Sequence, residues 1–381
     1  MLTLDVLIPT RNRARLLARA LDSLLAARLP AELAVTITVI DNGSSDGTPG
    51  LLEWMTARHR GRIEVVHERR CGKSRALNAG IAATSGELVG MIDDDEEVDG
   101  GWYEEILRAF SADPALDFIG GPYYPVWAQT PPEWIPRDYL AVLGDVDSGS
   151  EEQLYGPTFA GILKGGNAVI RRTALEHVGP YAEYLGPAGP ARLLSCEDEE
   201  MYLRLQRAGA RGRYLPRLII HHHVCASRLT PGYFRRWCFW RGASRGLMDR
   251  AHPMPVRYLA GVPRFLYGAA AHGLTRVAKS LLGSAAQAAT LSDELKAWDL
   301  AGYFWGRHIY TLARFSPVRS RRNSGHPSLQ RIDGVDPDRS ADTWNPSCYF
   351  DSRHGIEGSG DRDQACGFCM AEHRRASAPT V

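Results

Sequence analysis

Short apolar runs alternate with segments of helical period through the first half of the chain. Leu4 to Ile8 reads as a strand stopped by Pro9-Thr10-Arg11-Asn12, and Leu16, Leu17, Ala20, Leu21, Leu24 and Leu25 then recur at helical spacing until Pro30. Ala34 to Ile40 alternates and is β-branched, which predicts a second strand ending at the turn-rich Asp41 to Thr48. A helix over Leu51 to Arg60 follows, with Asp46 or Thr48 as its cap. Ile63 to His67 gives a third strand and Ser74 to Ala83 a third helix, before the apolar run Leu88 to Ile92 gives a fourth strand. Strands that alternate with helices imply βαβ units, a mostly parallel sheet and a ligand edge at the strand C-termini.

Beyond this point the pattern loosens. A helix is expected over Trp102 to Phe110 and a short strand over Phe118 to Gly121, followed by a loop rich in Pro and Trp through Trp134. Ser195-Cys196-Glu197-Asp198 opens a helix running from Glu200 to Ala208, and Leu218 to Ile220 forms a strand that leads into His221-His222-His223. Further helical patterns run from about residue 256 to 289 and from 291 to 315, and from Pro317 periodicity disappears into Ser, Arg, Asp, Gly and Pro. The expected division is a catalytic domain over 1–225, a basic, aromatic-rich helical extension over 226–316 and a disordered tail over 317–381.

Charge sharpens the picture at one place. The fourth strand runs directly into Asp93-Asp94-Asp95-Glu96-Glu97, and five adjacent carboxylates repel one another unless a cation offsets them. Asp93 and Asp95 sit at a spacing that lets one hold a divalent ion while the other meets a sugar hydroxyl; Mg²⁺ in particular completes its shell with substrate phosphates. A solvated acidic turn is the alternative. The net charge of the 381 residues is only +1, yet Ala226 to Ser320 carries 14 Arg and Lys against 4 Asp and Glu, a formal +10. Basic and acidic functions are thus segregated along the chain. Lys73 and Arg75, beside Gly72, are candidates for phosphate contact, but the spacing of a P-loop is missing. Strand alternation puts His221 and His223 on one face and His222 on the other, so the three cannot all serve one metal. Asp198, at a helix N-terminus, is either a general base toward an alcohol or merely a cap.

In order, Ile8-Pro9-Thr10-Arg11-Asn12, Asp41 to Thr48, Gly72 to Asn78, Asp93-Asp94-Asp95, Gly165-Gly166-Asn167 and Glu197-Asp198 resemble a family 2 glycosyltransferase of GT-A fold, over about residues 1 to 240. The resemblance implies a Rossmann-like α/β domain and an inverting transferase that uses a nucleotide-diphosphate sugar with Mg²⁺ or Mn²⁺. It places Pro9, Thr10, Arg11 and Asp41 in the nucleoside pocket, with Lys73 and Arg75 near base or diphosphate. Asp93 falls on the ribose with Asp94 beside it, and Asp95 and His222 fall on the metal. Asp198 becomes the base with Glu197 in support, and Gly166 and Asn167 shape the donor-sugar and acceptor side. Two departures from the family pattern are Cys196, where Gly is common, and the length of the acidic run.

The rival readings are a sugar-phosphate nucleotidyltransferase, whose Gly-rich loop after the first strand is missing here, and a non-catalytic sugar-binding protein. The acceptor, whether glycan, lipid-linked or small molecule, is left open, and no nucleic-acid partner is expected. The start of the chain lacks a secretory signal and no run reaches about 18 apolar residues, so a cytoplasmic protein is expected. Trp237, Trp240, Phe265, Tyr267, Tyr303, Phe304 and Trp305 among the Arg-rich segments either meet an anionic membrane surface or pack on the catalytic domain. The seven cysteines are scattered, against a disulfide framework, although Cys348, Cys366, Cys369 and His373 could form a zinc site.

Overall fold

The computed structural model describes residues 1–159, 161–189, 192–280 and 287–310. The tail from 317 on, with Cys348, Cys366, Cys369 and His373, lies outside the described residues. The first half follows the expected alternation: β1 (Leu2–Thr10), α1 (Ala14–Ala26), β2 (Leu33–Asp41), α2 (Thr48–Arg58), β3 (Ile63–His67), α3 (Lys73–Ala83) and β4 (Leu88–Met91). Helix α1 forms because Leu17, Leu21 and Leu24 share one face, and that face is fully buried under the sheet. Each such leucine is worth roughly 1.5–3 kcal/mol of transfer free energy. Asp46 does not cap α2 from the N-cap position; Gly47 holds that place, and the Asp46 carboxylate accepts from the Thr48 amide at 3.0 Å.

After β5 (Glu96–Val98), α4 (Trp102–Ala112), β6 (Phe118–Gly120), β7 (Tyr123–Trp127), β8 (Gln153–Leu154), β9 (Ala168–Arg171), α5 (Arg172–Val178), α6 (Glu197–Arg207), β10 (Gly212–Tyr214) and β11 (Ile220–Val224), two sheets are complete. The large sheet has eight strands in the order β3-β2-β1-β4-β9-β6-β10-β8. Its first four strands are parallel, and β9 then runs antiparallel to both β4 and β6. The second sheet, β5-β11-β7, has three strands. Strand β7 lies inside the segment read from sequence as a loop; Pro125 masks it, as proline is tolerated at a strand edge, and β7 pairs in parallel with β11 alone among the named strands. Strand β11 likewise starts later than expected and contains the histidine triplet, with His222 opposite Glu96 and His221 opposite Glu97. The acidic run is therefore the hinge between the two sheets, leaving β4 and entering β5 within four residues.

The extension is three helices: α7 (Pro231–Ala251), α8 (Arg264–Ser280) and α9 (Gln287–Phe304). Sequence periodicity missed α7 because its contact with α9 is made by backbone. A Cβ on Gly242 would meet the Asp299 carbonyl at 2.1 Å and one on Gly302 the Phe239 carbonyl at 1.8 Å, so glycine alone permits this approach. Arg241 and Arg245 both pair with the buried Asp299 at 3.0 Å across the same interface. Most of the extension's aromatics go into this packing: Tyr303 is fully buried, Trp240 meets Trp305 edge to face at 5.4 Å, and Trp237 lies under the Arg241 guanidinium. Phe304 stays largely exposed. No helix among the described residues is long and apolar enough to cross a membrane.

Candidate active site

The ends of β1, β2 and β4 meet where the expected ligand edge lies. Asn12, in a left-handed conformation (φ 54°), accepts from the Ser45 amide at 2.7 Å and donates its own amide to Ser44 Oγ at 3.0 Å, which ties the loop after β1 to the loop after β2. Asp41 accepts from the Ser44 amide at 2.9 Å. Asn42 donates to the Glu68 and Arg70 carbonyls and accepts from the Gly72 amide, so it fixes the loop that carries Lys73.

Within the acidic run each carboxylate has its own surroundings. Lys73 Nζ reaches Asp93 at 2.7 Å and Glu197 at 3.5 Å. Asp94 accepts from Thr10 Oγ1 at 2.8 Å and from Arg13 at 3.2 Å; burial nevertheless pushes it up to about 7, against the pull of Arg13. Asp95 Oδ2 accepts from Arg13 at 2.7 Å and from Arg228 at 2.8 Å. Burial alone would raise Asp95, but Arg228 and Arg13 outweigh it and hold the carboxyl well below the usual range. Glu96 accepts from the Asp93 amide at 2.7 Å; burial, then Asp93, pushes it well up. Asp94 and Glu96, buried and bonded, are not the solvated residues of an acidic turn.

His222 is the histidine that faces this cluster. It is buried, and its Nδ1–H donates to the Leu143 carbonyl at 2.9 Å, which leaves the Nε2 lone pair 3.8 Å from Asp95 Oδ2. Burial lowers its pKa, so the neutral ring is favoured. His223 points the other way and pairs with Glu97.

Helix α6 presents Glu197 and Asp198 in its first turn, behind Cys196, which takes the left-handed conformation (φ 69°) where glycine would be unstrained. Asp198 Oδ1 is sealed from solvent and has no hydrogen-bond partner. The backbone of the Gly165-Gly166 turn lies against both acidic groups: a Cβ on Gly165 would meet Asp198 Oδ1 at 2.0 Å, and one on Gly166 would meet Glu96 at 2.3 Å. Burial raises Asp198 from the ordinary carboxylate range, with Lys73 opposing; burial and Asp198 push Glu197 up to about 8. A cavity of about 160 Å³ opens here, lined by Asp93, Glu96, Tyr123, Asp198, His222 and Arg228 among others.

The structure thus brings together Thr10, Lys73, Asp93, Asp94, Asp95, Gly166, Glu197, Asp198 and His222. Pro9 and Asp41 stand at the adjoining strand ends, and Arg11 is exposed. Arg75 turns to Glu183 at 3.1 Å, not to the acidic run. Asn167 points into the core: it accepts from Trp102 Nε1 at 3.0 Å and donates to the Leu218 carbonyl at 2.7 Å, which pins the two sheets together behind the cavity. Sequence reasoning missed Arg13 and Tyr123, and it placed Arg228 in a segment resembling the family without giving it a role in the site. Arg13 directly follows the first loop motif and Arg228 follows the histidine strand; neither has a spacing that marks it.

Among the described residues no three His, Cys, Asp or Glu side chains gather into a preformed metal cluster. The pair Asp95 and His222 nevertheless fits a divalent ion. One carboxylate oxygen and one imidazole nitrogen 3.8 Å apart lie within the roughly 4.2 Å that two bonds of about 2.1 Å span, and such ions take remaining ligands from substrate phosphate.

The fold is that of a GT-A type α/β domain. Residues 5–179 match the family model described as glycosyl transferase family 2. The match decides against a nucleotidyltransferase. Among similar proteins, the glucosyl-dolichyl phosphate glucuronosyltransferase of Haloferax volcanii is 24% identical over 193 residues, covering 50% of this chain and 60% of that protein. The succinoglycan biosynthesis protein ExoM of Rhizobium meliloti is 26% identical over 254 residues, 66% of this chain and 77% of that one. The fold is shared with a mannosyltransferase from Pyrobaculum calidifontis, solved in complex with GDP-Man and Mn²⁺, at a TM-score of 0.54 and 20% identity, covering 80% of this chain and 86% of the other. The chain thus spans less than two thirds of the length of the Haloferax relative.

Proposed function

We propose that this chain is an inverting, metal-dependent glycosyltransferase that moves a sugar from a nucleotide-diphosphate sugar to an acceptor hydroxyl in glycoconjugate biosynthesis. The observation that carries the reading is the sealed, unpartnered Oδ1 of Asp198 in one cavity with His222 and Arg228. Asp198 takes the proton of the acceptor hydroxyl as that oxygen bonds the anomeric carbon. The bond from that carbon to the diphosphate breaks on the opposite face, and the nucleotide diphosphate leaves with the electron pair. Lys73, bound to Asp93 and close to Glu197, favours the ionised form of the base. Asp95 and His222 would hold the ion, which supplies positive charge to the leaving diphosphate. Thr10, Asp41 and Asp93 would line the nucleoside side. Relatives named for a glucosyl-dolichyl phosphate and for succinoglycan biosynthesis support a lipid-linked or glycan acceptor.

A thermal-shift screen of nucleotide-diphosphate sugars with Mn²⁺ tests the donor side. At a ligand concentration about 100 times Kd the matching donor stabilises by about 2.7 kcal/mol. A flat response to every nucleotide sugar in the presence of Mn²⁺ would sink the reading. Contact of the extension with an anionic membrane surface is a further part of the proposal, supported by the exposed Leu259, Leu274, Phe304 and Ile309 in a basic segment. Flotation with anionic liposomes is the expected result, and failure to float at low salt rejects it.

A further inference from the structure

The side chain of Arg228 occupies the place between the two groups assigned above to the ion. Its Nη2 donates to Asp95 Oδ2 at 2.8 Å and its Nη1 to His222 Nε2 at 3.0 Å. The two arms of one guanidinium therefore cover both candidate ligand atoms, and the Nε2 lone pair on which an ion would depend is in use as an acceptor. Arg13 does not do this, since it reaches Asp94 and Asp95 but leaves His222 alone. We propose that Arg228 is a built-in counter-cation that closes the Asp95–His222 pair and must leave it when a divalent ion binds, so that metal affinity is set by competition with this one side chain. The inference rests on the metal reading of the preceding section.

Three features make the exchange physically reasonable. Arg13 stays on Asp95, so the carboxylate keeps one cationic partner throughout. Arg228 sits on a single 3-10 turn, Ala226–Arg228, held by its amide on the Cys225 carbonyl and by the Leu229 amide on the Ala226 carbonyl, both at 3.0 Å. A turn of two such bonds moves at small cost. Arg228 also already lines the cavity that contains Asp93, so the displaced guanidinium has a carboxylate within it and is not left buried and unpaired.

The test is Mn²⁺ binding by the full chain without nucleotide, followed through the electron paramagnetic resonance signal of the free ion. Arg228→Gln removes the competing charge and is expected to bind Mn²⁺ at least tenfold more tightly than the wild type. Arg228→Lys, a point charge that cannot span both atoms, should fall between. Arg13→Gln should gain less than Arg228→Gln. Equal or weaker Mn²⁺ binding by Arg228→Gln, with the wild type binding normally, overturns the competition and leaves the metal site standing. No Mn²⁺ binding by any form, either alone or with a nucleoside diphosphate added, overturns both. Hydrogen exchange on the wild type gives a second reading that does not depend on a variant folding: Mn²⁺ should speed exchange of the Arg228 and Leu229 amides. Exchange that stays unchanged or slows at Mn²⁺ saturation overturns the displacement.

Discussion

Asp198→Asn is expected to lower the rate of sugar transfer by about 10²–10⁴-fold, the usual weight of a positioned general base, while binding of the nucleotide sugar survives. The carboxamide keeps the shape of the side chain but cannot take the proton of the acceptor hydroxyl. Single-turnover transfer and donor titration on the same variant separate the two, and transfer at the wild-type rate would remove Asp198 from the mechanism. The pH dependence carries its own sign. Burial favours the neutral acid at Asp198, and the base works only when ionised, so activity rises with pH. The ascending limb falls above the value of about 4 expected of an ordinary aspartate. A limb at that ordinary value would mean that the buried surroundings do not govern the reacting group.

Asp95→Ala is expected to cost about 1.5–3 kcal/mol of folding stability, because two guanidiniums lose a charged hydrogen-bond partner while Arg13 keeps Asp94 and Arg228 can turn to Asp93. Arg13, the more exposed of the two at 39%, can turn toward solvent, which puts the expected loss at the lower end of that range. Urea denaturation measures the loss. The variant should also lose Mn²⁺-dependent donor binding, since one of the two proposed ligands is gone. Undiminished metal-dependent binding in a folded Asp95→Ala protein would dissociate Asp95 from the ion, whatever the stability shows. The comparison is informative because in this site one carboxylate has a structural partner set and a proposed chemical one on the same oxygen.

The legible parts of the site were those written locally. The arrest of β1 at Pro9-Thr10, the turn after Asp41, the helix that opens near Glu197 and the carboxylates at the end of β4 all come from short-range pattern, and the fold places their residues at one edge. What lay beyond reach was pairing between distant segments. Strand β9 runs against β4, which ends the parallel run after four strands of the mostly parallel sheet. Asn167, expected on the sugar side, is drawn into the core because Trp102 Nε1 and the Leu218 carbonyl both need a buried partner there. Arg75, beside Lys73 in sequence, turns to Glu183 because successive side chains of a helix do not face the same way.

By itself the sequence determined the strand and helix order, the position of the acidic run after the fourth strand and, through alternation, that His222 parts company with its two neighbours. Tertiary structure alone decided that His222 lies opposite Glu96 with its Nε2 toward Asp95, and that Arg13 and Arg228 converge on the same oxygen from residues separated by more than two hundred positions. The reason is physical. Local periodicity fixes which face a side chain takes, whereas strand register and the need of each buried charge for a counter-charge fix what that face meets, and neither is carried by any short stretch of chain.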